Sequence, residues 1–307
     1  MNCADKDCTI LLSIYKEGVF LRDLIASLAR QSVQGISLCY RLDGDEVVAG
    51  LEERTSAFRC QELLPAKHLG IPATYWSLLE RCEDHPYIML ADQDDVWHEN
   101  KIEMTLAAMQ KAEEKWGKDM PILVHSDLRV VDEKLNLLAG SLMKYQALDP
   151  RRCSLKDLVV QNNVTGCTVM INRALRNVLK FSNEAVCHDW YIALTAAAFG
   201  KIVFINEPLV DYRQHSSNVY GAVPRRNLFQ KLLKRKELHQ RLCLTEKQAA
   251  AFLEQHRSYL SKEQIEILEA WSRLLMEKSY FKRLVKTVRY GFRKNDWLRT
   301  LGMWWAL

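Results

Sequence analysis

The sequence has no apolar run long enough to cross a bilayer and no visible secretion signal. Among its 307 residues, no apolar stretch approaches the roughly 20 residues that a membrane-spanning helix needs. The start, Met1 to Asp7, is polar, and the apolar run Ile10 to Ile14 is too short for a signal peptide. These absences predict a cytoplasmic protein.

The sequence also lacks a C-x-x-C pair, an internal repeat and a low-complexity linker. Its nine cysteines are scattered, so they suit small buried side chains better than a zinc site or a redox dithiol. Hydrophobic residues make up 48% of the chain and charged residues 26%, which are ordinary globular values. The length predicts one large α/β domain with an appendage, or two domains.

Acidic residues become scarce toward the C-terminal end. From Val223 onward there are 19 Lys and Arg against 8 Asp and Glu, a balance of +11. The first 222 residues have 24 against 30, or −6, within a total of +5. This asymmetry predicts an acidic catalytic domain over residues 1–222 and a basic, helical appendage over residues 223–307.

Strand and helix patterns alternate through the first part of the chain. Thr9 to Tyr15 predicts a strand, the apolar spacing after it predicts a helix, and Ser37 to Leu42 predicts a second strand. Later strands are predicted at Ile122 to Val131, from Val164 to Ile171, at Lys201 to Ile205 and at Pro208 to Tyr212. Capping boxes predict helix starts at Thr245 and Ser261. The alternating order of the first elements is the start of a doubly wound α/β sheet. In such sheets ligands bind at the carboxyl ends of the strands, where Asp43 and Asp92 fall in this sequence.

Three carboxylates follow one predicted buried strand. Tyr87 to Ala91 is mostly apolar, and Asp92, Asp94 and Asp95 come directly after it. Carboxylates this close repel one another, and a hard cation such as Mg²⁺ or Mn²⁺ would neutralise them. The pattern leaves two interpretations open, because an acidic turn that caps the next helix has the same residues.

Two later segments, around Asp189 and His215, contain further candidate site residues. Asp94 and His215 suit a divalent ion that keeps open positions for the phosphates of a nucleotide. Asp189 suits a general base that removes a proton from an attacking hydroxyl. Its neighbour Trp190 could stack on a sugar ring.

Each of these residues also has an ordinary structural interpretation. Asp43 precedes Gly44 and suits a turn, and His215 suits a surface loop. Asp189 suits a helix cap, which is compatible with a role as base. Gly166 suits a position before a strand where a side chain would crowd the backbone.

Four motifs in this order resemble glycosyltransferase family 2, and within it bacterial rhamnosyltransferase-like enzymes of surface-polysaccharide assembly. The resemblance covers roughly Cys8 to Ala222, and the order of the motifs makes it specific. The motifs are Leu90-Ala91-Asp92-Gln93-Asp94-Asp95-Val96-Trp97, Asn163-Val164-Thr165-Gly166-Cys167, His188-Asp189-Trp190, and Tyr212-Arg213-Gln214-His215 with Asn218.

The resemblance implies a GT-A fold, a Rossmann-like and mostly parallel sheet flanked by helices, and an inverting transfer from a nucleotide sugar. By position, Asp189 would be the general base and Gly166 would line the acceptor side. The donor side would comprise Asp92 at the ribose or metal, Asp94 and His215 at the metal, and Arg213 and Gln214 at the diphosphate.

One departure from the family pattern affects base recognition. The family has two adjacent aspartates before a glycine at the end of the second strand, whereas this chain has Leu42-Asp43-Gly44. Because one aspartate stands where the family has two, recognition of the nucleotide base by Asp43 stays open beside its interpretation as a turn residue.

The expected partners are a nucleotide-diphosphate sugar, with rhamnose as one candidate sugar, and a saccharide or lipid-linked saccharide acceptor. A sugar nucleotidyltransferase is the nearest alternative, but it would want a glycine-rich loop where this chain has Lys16-Glu17-Gly18. A glycoside hydrolase needs no metal cluster. A nucleic-acid-binding protein would use the basic tail, but the acidic domain would repel phosphates.

The basic C-terminal end is interleaved with aromatic residues, among them Phe281, Tyr290, Trp297, Trp304 and Trp305. This pattern suits peripheral contact with an anionic membrane on its inner face. It equally suits helices whose aromatic side chains pack on the catalytic domain. Both interpretations stay open from the sequence.

Overall fold

The computed structural model describes residues 8–16, 20–44, 48, 50–63, 68–215, 222 and 234–307. Asn218, from the resemblance, and most of the predicted domain junction after residue 222 lie outside the described residues. The strands are β1 Cys8–Ile14, β2 Ser37–Leu42, β3 Arg59–Leu63, β4 Tyr87–Asp92, β5 Val96–Trp97, β6 Ile122–Val131, β7 Leu137–Ala139, β8 Met170–Asn172 and β9 Lys201–Arg213.

Twelve α-helices occur within the described ranges. In the first 222 residues they are α1 Leu21–Ala29, α2 Leu51–Thr55, α3 Ile71–Arg81, α4 Lys101–Trp116, α5 Leu142–Gln146, α6 Leu155–Leu158, α7 Arg173–Val178 and α8 His188–Phe199. After residue 234 they are α9 Arg235–His256, α10 Lys262–Ser272, α11 Tyr280–Tyr290 and α12 Trp297–Ala306.

All nine strands join one mixed sheet in the order β3-β2-β1-β4-β8-β6-β9-β5, with β7 paired to β6. β1 to β4, β6 and β9 run in one direction, whereas β5, β7 and β8 run in the other. The predicted GT-A architecture, a mostly parallel sheet flanked by helices, is confirmed.

Strand register brings the predicted site residues to one edge of the sheet. Ser13 at the end of β1 is paired with Asp92, and Ile14 is paired with Leu42. Because the three strands are parallel, Asp43 and Asp92 emerge at the same carboxyl edge. Gln93 fastens this edge, since its side-chain amide exchanges two hydrogen bonds of 2.9 and 3.0 Å with the backbone of Tyr15.

Apolar side chains cover both faces of the sheet. One core lies under α1 and α4, with Leu24, Ile102 and Met109 buried against β1 and β4. The other lies under α3 and α8, which bury Leu78 and Ile192. Both faces of β1 and β4 are thus mostly apolar, as expected for parallel strands buried on both sides.

The C-terminal helices extend the second core. Phe252 of α9, Trp271 of α10 and Phe292 after α11 are fully buried in the same cluster as Tyr191 of α8. The Tyr191 and Phe252 rings meet edge to face, with centroids 5.5 Å apart. Aromatic side chains of the basic segment therefore do pack on the sheet domain, while the division at residue 222 stays a prediction.

Three local expectations were wrong. Lys201 to Tyr212 forms the single strand β9 where two short strands were expected, because irregular pairing with β6 accommodates Pro208. Val164 to Ile171 is not one strand, since Gly166–Thr168 form a 3₁₀ turn before β8. Thr245 does not begin a helix but lies inside α9, whereas the capping box predicted at Ser261 is present.

Within the described part of the chain, no helix combines the length and the apolar character that crossing a membrane requires.

Candidate active site

Asp92 is held at the end of β4 by a buried tyrosine. The hydroxyl of Tyr75, on α3, lies 2.6 Å from the Ala91 carbonyl oxygen and 3.1 Å from Asp92 Oδ1. Burial, reinforced by the charge of Asp94, raises the pKa of Asp92 to about 7. A carboxylate in this setting would be stabilised by a cation.

Asp94 and His215 come together although 121 positions separate them. His215 follows the end of β9, and its Nε2 lies 2.7 Å from Asp94 Oδ2. Both side chains are partly exposed, at 12% for His215 and 20% for Asp94. A divalent ion could therefore reach both, and their role as its ligands stays a prediction.

Asp95 is buried, and it was predicted only as one of the three carboxylates after the strand, without a role of its own. Arg213 donates its backbone amide to Asp95 Oδ1 at 3.1 Å, whereas among the described residues the buried Asp95 Oδ2 has no nitrogen or oxygen partner, and the Cys167 sulfur lies within 4.8 Å of this carboxylate. Burial, with the nearby charge of Asp92, holds the pKa of Asp95 well above its usual range. An unpaired buried carboxylate oxygen is costly, so it suits the neighbourhood of a cation.

Asp92, Asp95 and Cys167 could bring ligand atoms within 4.8 Å of one another. This trio differs from the predicted set of Asp92, Asp94 and His215. Burial holds the pKa of the Cys167 thiol well above its usual range, and a protonated thiol is a poor ligand for a hard ion. The carboxylates and His215 therefore fit Mn²⁺ or Mg²⁺ better than a set that includes Cys167.

A buried lysine lies below the carboxylates. Lys101, at the start of α4, donates from Nζ to the Cys167 carbonyl oxygen at 2.5 Å and lies over the Trp97 ring. Burial lowers the pKa of Lys101 to about 7, although Cys167 and Asp95 oppose that shift. Sequence reasoning missed Lys101, because a single lysine at a helix start gives no sign that it is buried.

Asp189 occupies the second position of α8 and is held by groups from the segment between α6 and β8. Its Oδ2 accepts the Gly166 amide at 3.0 Å, and Oδ1 accepts Asn162 Nδ2 at 3.3 Å. Trp190 donates its own amide to Oδ1 at 2.5 Å. Burial raises the pKa of Asp189 to about 6, although these hydrogen bonds oppose the shift. A carboxylate with that pKa is ionised near neutral pH and basic enough to accept a proton.

Gly166 permits this close approach of chain and carboxylate. A Cβ atom at position 166 would lie 3.1 Å from His188 Nε2 and 3.6 Å from Asp189 Cβ. The His188 ring stacks on Tyr75 with centroids 3.9 Å apart, so His188 connects the start of α8 to the residue that holds Asp92. Neither His188 nor Tyr75 was singled out from the sequence.

Trp190 is half-buried and packs against the hydrophobic core. Its indole Nε1 donates to the Leu158 carbonyl oxygen at 2.5 Å. These contacts show that Trp190 packs α8 against the core. Its role in sugar binding stays a prediction.

Asp43 is buried and bonded to the loop before α3. Its two carboxylate oxygens accept the amides of Leu69 and Gly70 at 2.8 and 2.9 Å. Beside it lies a cavity of about 260 Å³, close to the lower end of the ligand-pocket range. The rings of Tyr15 and His68, 4.8 Å apart, line that cavity. Asp43 thus shapes a cavity wall, and its contact with a nucleotide stays a prediction.

Arg213 is buried among protein groups. Its guanidinium donates to the carbonyl oxygens of Asp94 and Glu133 and to the carboxylate of Asp23, at 2.7 to 2.9 Å. These contacts tie β9 to the Asp94 loop. The structure thus supports a positioning role for Arg213, and diphosphate contact stays a prediction.

Gln214 lies next to His215 and bonds to backbone groups. Its backbone amide donates to Val131 at 2.9 Å, and its Oε1 accepts the Ala222 amide at 2.6 Å. Gln214 therefore holds the chain just after β9, and its predicted contact with the diphosphate is untested.

No protein-family model and no curated protein sequence matches the chain. Among solved structures, TarS 1-349 from S. aureus in complex with UDP-GlcNAc is similar, with a TM-score of 0.54 and 12% identity over 92% of this chain and 89% of that one. Its complex with UDP gives a TM-score of 0.53 at 12% identity, covering 94% and 92%.

A longer form of S. aureus TarS gives a TM-score of 0.56 at 12% identity, over 94% of this chain but 55% of that one. At this identity the likeness shows the fold and nothing finer. It agrees with the GT-A architecture expected from the motifs.

Proposed function

We propose that the protein is an inverting glycosyltransferase that moves a sugar from a nucleoside-diphosphate donor to an acceptor hydroxyl. The observation that carries the proposal is the placement of Asp189 near the carboxylates of β4. Asp189 accepts the Gly166 amide at 3.0 Å, and the next residue, Cys167, has its sulfur within 4.8 Å of carboxylate oxygens of Asp92 and Asp95, so Asp189 lies near these groups. A basic carboxylate beside a cation-binding edge is the arrangement that this reaction needs.

In the proposed reaction the acceptor oxygen attacks the anomeric carbon while the bond from that carbon to the diphosphate oxygen breaks. The acceptor's proton passes to Asp189, whose hydrogen bonds from Gly166 and Asn162 fix its orientation. One displacement inverts the anomeric configuration. Asp92, Asp94 and His215 would hold Mn²⁺ or Mg²⁺, which would balance the charge of the departing diphosphate.

The donor is proposed to bind along the carboxyl edge of the sheet. S. aureus TarS, which has this fold, is known in complex with UDP-GlcNAc and with UDP. The cavity between Tyr15, His68 and Asp43 is proposed to take the nucleoside, because two aromatic rings and a polar wall suit a base. From there the diphosphate would extend toward Asp94.

The acceptor is proposed to be a saccharide or a lipid-linked saccharide in bacterial surface-polysaccharide assembly. This part rests on the resemblance of the four motifs, which also suggests rhamnose as a candidate sugar. A cytoplasmic location, peripheral on the inner face of the cell membrane, belongs to the same proposal. The division into a catalytic domain over residues 1–222 and an appendage over 223–307 is likewise proposed.

The test is a panel of nucleotide sugars incubated with the protein, with Mn²⁺, with Mg²⁺ and with chelator, and with simple saccharide acceptors. We expect release of nucleoside diphosphate from one class of donor, dependent on the metal, and an inverted product by nuclear magnetic resonance. Retained configuration, or full activity in chelator, would contradict the mechanism. Pyrophosphate release from a sugar phosphate and a nucleoside triphosphate would indicate a nucleotidyltransferase instead.

A further inference from the structure

The exposed side of α11 is divided lengthwise into an apolar strip and a basic strip. Phe281, Val285 and Val288 recur at helical spacing and are 70%, 49% and 62% exposed. Lys282 and Arg289 lie next to them, also exposed, whereas the opposite side buries Thr287. The helix is therefore amphipathic, and the part of the chain that the structure describes leaves its apolar strip exposed.

The exposed side of α12 is apolar along its whole length. Trp297, Leu301 and Trp305 recur every four residues and are 62%, 44% and 58% exposed. The other side of α12 buries Met303 and Ala306 in the second core. The described residues leave more than half of each tryptophan exposed, although large exposed apolar patches are uncommon on soluble proteins.

The segment that contains α11 and α12 is predominantly positively charged. Residues 278–307 contain eight Lys and Arg and one acidic residue, Asp296. Asp296 is buried and accepts the Leu298 amide at the start of α12. The surface that α11 and α12 present is therefore cationic around its apolar strips.

A basic cavity opens beside the end of the α12 strip. It encloses about 390 Å³ and is lined by Arg235, Lys236, His239 and Arg283 with Gln240 and Leu307. The Arg235 guanidinium lies 5.4 Å from the centre of the Trp305 ring, and its Nε donates to the Trp305 carbonyl oxygen at 3.0 Å. Cationic groups are thus concentrated where an apolar strip ends, which is the geometry that an acyl chain and its phosphate would meet.

We propose that the exposed sides of α11 and α12, together with this cavity, dock on an anionic lipid bilayer; these residues are here called the C-terminal face. Tryptophans at the level of the headgroups, with lysine and arginine around them, are the composition of an interfacial surface. A second copy of the chain that met this face through the same face would bring the same positive charge and would be repelled. The inference rests on the peripheral location named in the proposed function and deepens it, but it does not depend on the chemistry of the proposed active site.

The test measures cosedimentation of the full chain with vesicles of phosphatidylcholine alone and of phosphatidylcholine mixed with phosphatidylglycerol. We expect binding to the anionic vesicles that weakens with salt. Lys282→Gln combined with Arg289→Gln should lower the partition coefficient about 30-fold, from the contribution of each basic residue near such a surface. Trp297→Ser combined with Trp305→Ser should lower it by about tenfold or more on the same vesicles.

The matched control is Leu137→Ser with Leu138→Ser, which removes two exposed apolar side chains from β7. It should bind as the unchanged protein does. Deletion of residues 292–307 is unsuitable, because it would remove Phe292 and Met303 from the core. Circular dichroism of each substituted protein checks that the fold is kept.

Brominated lipids provide a second measurement. Quenching of tryptophan fluorescence by brominated acyl chains should fall in the double tryptophan variant. Equal partitioning of all variants, or a stable dimer by ultracentrifugation that the tryptophan substitutions dissociate, would overturn the proposal. Neither result bears on sugar transfer, so failure here and failure of the proposed function are separable.

Discussion

The carboxyl edge of the sheet and the C-terminal face are opposite in character. At the sheet edge, charged groups such as Asp92, Asp95 and Lys101 are wholly or partly buried. On the C-terminal face, apolar groups such as Trp297 and Trp305 are exposed. Each arrangement is unfavourable by itself, because buried charge loses hydration and exposed apolar surface orders water. A region that keeps such an arrangement is a candidate for binding what offsets it, a cation in one case and a bilayer in the other.

The largest effect is expected from Asp189→Asn, which keeps the shape of the side chain and removes its basicity. Transfer should fall by about 10² to 10⁴-fold, the range for general acid–base catalysis. Donor binding, measured by calorimetry, should stay close to normal, because the Gly166 amide can still donate to the new side-chain oxygen.

Asp119→Asn, at an exposed turn after α4, is the control and should transfer sugar normally. An Asp189→Asn protein that works at the normal rate would end the assignment of the base. Asp189 would then be an acidic residue near the sheet edge that takes no part in catalysis.

A second expectation concerns the core that connects the two regions. Trp271 is fully buried and meets Phe292 edge to face, with ring centroids 5.1 Å apart. Trp271→Ala should lower the free energy of unfolding by about 3–5 kcal/mol, because it leaves a cavity in the core. Denaturant unfolding measures this loss.

The matched control is Trp305→Ala, since Trp305 is exposed and its loss should change stability little. Similar effects of the two substitutions would contradict the distinction between buried and exposed aromatic residues in the C-terminal segment.

Asp94→Ala should reduce transfer by about 10²-fold, because a metal ligand is lost while the other carboxylates of the edge remain. The sharper measurement is nucleotide affinity with and without Mn²⁺. The unchanged protein should bind more tightly with the ion, and the variant should lose most of that difference.

Asp119→Ala again serves as the control for the loss of one carboxylate. If the unchanged protein binds the nucleotide equally well with and without metal, Asp94 and His215 do not bind a metal ion in this complex.

Much of the sheet could be predicted from sequence because its strands are buried on both faces and read as apolar runs. The predicted bounds of β2 and β6, for example, match the structure. The insertion of β8 between β4 and β6 could not be predicted, since three residues give no signal of their pairing. Single-sequence patterns also failed at β9, where pairing with β6 decides that the strand continues past Pro208.

The site was predictable to the extent that polar residues follow strands or begin helices. Asp94 and His215 were expected together and are in contact. Tyr75, Lys101 and His188 were missed, because each sits in an ordinary helical pattern and gains its role from tertiary packing. The exposure of Trp297 beside the burial of Met303 is likewise decided by which side of α12 meets the core.

The smallest expected effect is the dependence of transfer on pH. A base accepts a proton only when it is ionised, and burial raises the pKa of Asp189 to about 6. Below that value kcat/KM should fall about tenfold per pH unit, and above it the profile should level off. Asp92 complicates the profile, because burial and Asp94 raise its pKa to about 7.

The two carboxylates can be separated by varying the metal. A bound cation favours the ionised form of a neighbouring carboxylate, so a higher Mn²⁺ concentration should move any contribution of Asp92 to lower pH. The fall in kcat/KM that is due to protonation of Asp189 should stay near pH 6. If the whole pH profile moves with the Mn²⁺ concentration, the fall in kcat/KM at low pH is due to metal binding at the sheet edge. Asp189 is then not the group that takes the proton.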